Sequence, residues 1–168
     1  MQRRTLLNFG LAATALIAVA GGGVALLRPG LEDGRMTASA KTVFRAVARG
    51  VLDGMLPSDS AARDAALAAH LARLDDTIAG FPCATQSELS QLIALISTAP
   101  GRSAIVGLHI EWDSASDADI QAAMQDMRTS SLAMRQQVFH ALRDLTNAAY
   151  FADPQAWTSL GYPGPLAI

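Results

Sequence analysis

From Phe44 onward, apolar side chains recur three and four residues apart in nearly every segment, a spacing that suits helices and little else. Phe44, Val47, Val51, Leu52 and Met55 form one stripe on a helix that must end before Pro57. Ser58, Asp59 and Ser60 offer caps for a second helix, striped by Leu67, Leu71, Leu74 and Ile78 and stopped at Gly80 and Pro82. Thr85 and Glu88 have the spacing of a capping box ahead of Leu89, Leu92, Ile93 and Ile96, and Pro100-Gly101 ends that third helix. Arg102–Trp112 reads as a short helix. Ser116 and Asp119 cap a fifth, bearing Ile120, Ala123, Met124 and Met127. A sixth runs through Met134, Val138, Leu142 and Leu145 to about Tyr150, with Ser130 or Ser131 at its start. The pattern holds no strand-like alternation, so the expected fold class is all-α: a compact bundle of five to six helices behind an N-terminal apolar signal or anchor helix.

Length and composition agree with that class. A chain of 168 residues has room for one domain. It is 51% hydrophobic but only 5% aromatic, and its many alanines favour helix. Formal charge is −2, and Lys41 is the only lysine, so the clustered basic residues of a nucleic-acid binder are missing. The lone Cys83 has no internal disulfide partner and no Cys-x-x-Cys spacing, and is expected to be a small buried side chain.

The first forty residues have the layout of an export signal. Arg3-Arg4 is followed closely by Leu6-Leu7, and Gly10–Leu27 then runs eighteen residues without a charge. Arg3, Arg4, Leu6 and Leu7 match a twin-arginine leader, with Leu6 where Phe is usual and Asn8 where Lys is usual. Such a leader directs a folded cargo to the periplasm. Eighteen apolar residues can also just span a hydrocarbon core of about 30 Å and hold the remainder on the outer side of the inner membrane. Two small-x-small sites could be cut: Ala38-Ser39-Ala40, with Ala38 and Ala40 flanking, and Ala18-Val19-Ala20 inside the apolar run. The expected divisions are residues 1–40 as signal or anchor plus linker, 41–151 as the helical domain, and 152–168 as a C-terminal tail.

Chemistry-bearing groups do not converge along the sequence. His70, His109 and His140 lie in unrelated segments, none with a second histidine at helical metal-site spacing, and are expected at or near the surface. Asp75-Asp76 are adjacent, about 100° apart on a helix, and read as a solvated face. No catalytic, cofactor-binding or metal-ligating residue is assigned. Arg128, beside a helix start and off any apolar stripe, is a candidate to anchor the tail or a partner carboxylate.

The tail is the most distinctive segment. Asp153-Pro154 predicts a capped turn of helix carrying Trp157, and Gly161-Tyr162-Pro163-Gly164-Pro165 must be irregular. Its aromatic side chains must bury against something, either the chain's own helices or a partner.

Taken together, Arg3-Arg4, the Leu89–Ile96 helix, Trp112, Arg128-Thr129-Ser130, Tyr150-Phe151, Trp157 and the Gly161–Pro165 run resemble the gluconate 2-dehydrogenase subunit 3 family, small subunits of membrane-bound flavin dehydrogenases. The resemblance implies a subunit with no cofactor of its own. Its partner would be an FAD-containing large subunit of the glucose-methanol-choline (GMC) type that oxidises a sugar, sugar acid or alcohol and passes electrons to a cytochrome c subunit. It also implies that the leader exports both subunits through the twin-arginine machinery. Trp112, Arg128, Tyr150, Phe151, Trp157, Gly161, Tyr162, Pro163, Gly164 and Pro165 would serve partner docking or tail anchoring. The alternative is a stand-alone periplasmic helical scaffold or binding protein.

Overall fold

The computed structural model describes residues 28–158 and 160–164. The leader residues Arg3, Arg4, Leu6 and Leu7, the apolar run to Leu27, and Pro165 lie outside the described residues.

The described chain is mostly helical. A two-stranded hairpin, β1 (Leu31–Glu32) and β2 (Arg35–Met36), precedes α1 (Ala38–Val51), α2 (Ser60–Ala79) and α3 (Cys83–Ile96). A single turn, α4 (Ala99–Gly101), runs straight into a π-helical turn over Arg102–Val106. Then come α5 (Asp117–Thr129), α6 (Ala133–Phe151) and α7 (Pro154–Thr158). Among the described residues no helix is long and apolar enough to cross a membrane.

α1 is the central element, packed against α2, α3, α5 and α6. Its Val43, Phe44 and Val47 are fully buried, and they join Leu74 and Ile78 of α2, Ile93 and Ile96 of α3, Met127 of α5 and Leu142 of α6 in one core. A smaller cluster of Ala48, Leu52 and Leu67, flanked by Leu56 and Tyr150, fills the far end of α1. The α1–α5 crossing is close: a Cβ on Gly50 would stand 2.6 Å from Cγ2 of Ile120, so only glycine fits there. Asp117, in the first turn of α5, binds Arg63 of α2 at 2.6 Å and lies 3.6 Å from Arg49 of α1, so one carboxylate joins three helices.

Caps decide where the helices begin. Asp59 accepts from the Ala62 amide, as expected for α2. Ser116 and Asp119 form the expected capping box, and the Ser116 hydroxyl and amide donated to Asp119 lower the pKa of its carboxyl. Two expected caps are replaced. α3 starts two residues before Thr85, behind Pro82 and without a side-chain cap. Gln86 instead reaches back with its side-chain amide to the carbonyls of Ile78, Ala79 and Phe81, tying down the end of α2. α6 is entered through Leu132 rather than a capping serine, and Ser130 accepts from the Leu132 amide outside the helix.

The hairpin is the main departure from the all-helix reading. Asp33 and Gly34 sit at its turn with φ of 49° and 75°, the paired positive values of a tight hairpin that Asp-Gly readily adopts. Leu31 and Met36 are buried in the main core. Asp75 is no solvated residue: it accepts from the Met36 amide at 2.6 Å, while Asp76 binds Arg35 at 2.6 Å. Leu31–Met36, which the sequence grouped with the leader and linker, therefore packs with the helices.

Candidate functional site

The C-terminal end of α6 gathers most of the aromatic residues singled out in the sequence. Tyr150 donates its hydroxyl to the Met55 carbonyl at 3.1 Å and meets Phe151 edge-on at 5.3 Å between ring centres. Asp153 accepts from the Gln155 amide and starts α7, as the Asp-Pro pair predicts. α7 turns Trp157 back so that its indole N–H donates to the Phe151 carbonyl at 2.7 Å, satisfying one of the free carbonyls at the end of α6.

Beyond α7 the chain folds over that indole. The amides of Leu160 and Tyr162 both donate to the Trp157 carbonyl. Gly161 and Gly164 take φ of 67° and 99°, which bend the chain so that Tyr162 meets Trp157 at 5.5 Å and Gly164 lies against the indole. The tail is thus partly self-packed. Leu160 and Tyr162 nonetheless remain 58% and 50% exposed, giving an apolar rim beside Trp157. Pro163 lies exposed on the same rim.

The residue that ties this end to the bundle was not anticipated. Arg73 of α2 donates to the Ala149 carbonyl at 3.2 Å and pairs with Asp153 at 3.1 Å, bracing α6 and the start of α7 together. Arg128, expected in this role, is exposed on α5 and donates to Gln125 of its own helix. No periodicity marks Arg73, because its partners lie far along the chain. Trp112 is also outside the site: it is 4% exposed and donates its indole N–H to the Ile96 carbonyl, so it is core and offers no docking surface.

Among the described residues three polar side chains are buried: Arg102, His70 and Thr146. Arg102 in the π-helical turn is 3% exposed, and its two terminal nitrogens reach Glu111 at 2.8 and 2.6 Å. Gly107, with φ of 82°, ends that turn, and Arg135 of α6 donates to the Ile105 and Val106 carbonyls left free. His70, expected at the surface or partly buried, is instead fully buried with neither ring nitrogen hydrogen-bonded. Its ring lies 6.3 Å from that of Tyr150. Burial, with Arg73 nearby, lowers its pKa to about 4, so it is neutral near pH 7.

The remaining chemistry is dispersed. His109 shares a hydrogen bond with Ser103, and Asp144, one helical turn from His140, is held by Arg143. Among the described residues no group of three or more His, Cys, Asp or Glu could hold a metal ion. Cys83, expected inside, is exposed at the start of α3. It borders an open groove of about 290 Å³ lined also by Leu31, Gly34, Gln86, Ser87 and Ser90. Comparison with known proteins gave no match: no family model, curated protein or solved structure aligns significantly with the chain.

Proposed function

We propose that this chain is the non-catalytic small subunit of a membrane-associated, FAD-dependent dehydrogenase for a sugar, sugar acid or alcohol, working in the periplasm. On this reading the Arg3-Arg4 leader carries the folded pair through the twin-arginine machinery. The helical domain stabilises a GMC-type large subunit, which holds the FAD and passes electrons on to a cytochrome c subunit. The N-terminal segment keeps the assembly at the inner membrane.

The observation that carries the docking part is the apolar rim of Leu160 and Tyr162, held out to solvent on a braced turn. Exposed apolar side chains presented together on a fixed backbone are the usual raw material of a protein interface. Co-expression with a GMC-type flavoprotein encoded beside this chain's gene tests it. The wild-type chain is expected to bring down a yellow, flavin-absorbing complex, and a Leu160→Ser, Tyr162→Ser variant to bind at least about tenfold more weakly, about 1.4 kcal/mol. Arg3→Lys with Arg4→Lys should abolish periplasmic dehydrogenase activity. Unchanged binding and unchanged export would overturn the reading.

The self-packing of Trp157 under Tyr162 favours a second reading, a stand-alone helical scaffold whose tail is only a lid on its own helix end. A chain that purifies colourless and alone from its native membrane fraction would establish that reading.

A further inference from the structure

We infer that leader peptidase does not cut at Ala38-Ser39-Ala40: although this run has the residues of a cleavage site, the fold protects it and it stays in the mature protein. The inference rests on the export reading above for the existence of a leader, and on the described residues for where cleavage is blocked.

The bond that such cleavage would hydrolyse joins Ala40 to Lys41. Both residues lie in the first turn of α1, and the Lys41 amide donates to the Thr37 carbonyl at 3.0 Å. Ala40 is fully buried in the main core. Peptidases cut segments that are exposed and free to extend, and a helical turn with one side chain in the core is neither.

The residues before the bond close the site further. Thr37 caps α1, and its hydroxyl and amide both donate to the Gly30 carbonyl. Gly30 in turn donates to the Ser90 carbonyl of α3 at 3.2 Å, and the Leu31 amide donates to the Ser90 hydroxyl at 3.0 Å. Cutting after Ala40 would release the hairpin, with buried Leu31 and Met36, the Asp75 and Asp76 contacts and the cap of the central helix. A twin-arginine cargo crosses the membrane already folded, so the peptidase meets this arrangement rather than an extended chain. Ala18-Val19-Ala20 or retention of the whole segment is then the fate of the leader.

The full chain with a C-terminal tag, in detergent micelles, is incubated with leader peptidase and its products are read by intact mass. The expected result is no product beginning at Lys41. A Gly30→Val variant supplies the opposite arm, since a Cβ there would stand 2.6 Å from the Ile93 Cβ and 2.8 Å from the Ser90 carbonyl oxygen, prising the hairpin away. That variant is far from the bond itself and should yield the Lys41 product, whether it loosens locally or unfolds. A Lys41 product from the wild-type chain overturns the inference, as does its absence from the variant. Failure of the chain to reach the periplasm in cells would instead sink the export reading and leave the peptidase result standing.

Discussion

The two ends of the described chain are held in different ways. At the N-terminal end, the backbone amides of Gly30 and Leu31 are bonded to α3 and that of Met36 to α2, and Leu31 and Met36 enter the core. At the C-terminal end, the Trp157 indole and Arg73 brace the described turn, and Leu160 faces solvent. Backbone bonds combined with buried apolar area make a segment part of the fold. A turn held by a few side chains is free to present its surface to something else.

Four measurements would break or sharpen this contrast. Gly30→Val should cost about 3 kcal/mol or more by denaturant unfolding, because the clash is with the backbone and a branched core residue. A loss under 1 kcal/mol would mean the N-terminal end is as loosely held as the tail. His70 lies beneath the C-terminal end, where it touches Tyr150. Its pKa falls from 6.5 in the unfolded chain to about 4 in the fold, so the unfolded chain binds the proton first on acidification. Stability should be full above pH 6.5 and fall by about 3 kcal/mol as pH drops to 4, levelling below that. A His70→Leu variant should lose this slope.

The third measurement is Trp157→Ala, expected to cost about 1 kcal/mol, because the indole is half-buried and satisfies a single carbonyl. A loss of several kcal/mol would make the tail a structural element equal to the hairpin. Smallest of all should be Leu160→Ser with Tyr162→Ser, within about 0.5 kcal/mol of wild type in the isolated chain. If their replacement unfolds the domain, the rim is not a free surface.

The long helices were legible because their stripes face a shared core: Val47, Leu74, Ile93, Met127 and Leu142 recur at helical spacing and are all buried. The hairpin was missed because two residues per strand are too few to show alternation, although Asp33-Gly34 carries the turn signal. The cap of α3 was misplaced because Thr85 and Glu88 have the right spacing by chance, and Pro82 had already started the helix. His70 was misplaced although its spacing was legible: it stands three residues after Leu67 and four before Leu74, on the same buried face, and the polar ring drew the reading toward the surface. Trp157 and Tyr162 were recognised as needing cover, but the bond to Phe151 depends on how tightly α7 turns. Arg73 was invisible because a charge at an ordinary helical position says nothing about a carbonyl that tertiary folding places beside it.

Cys83 has a practical consequence. It is the single thiol in the chain, it is exposed, and it stands on the groove beside Gly34 at the hairpin turn. A maleimide fluorophore attached there would label one defined position without any engineered residue. Its emission would follow the hairpin lifting from α3 in real time.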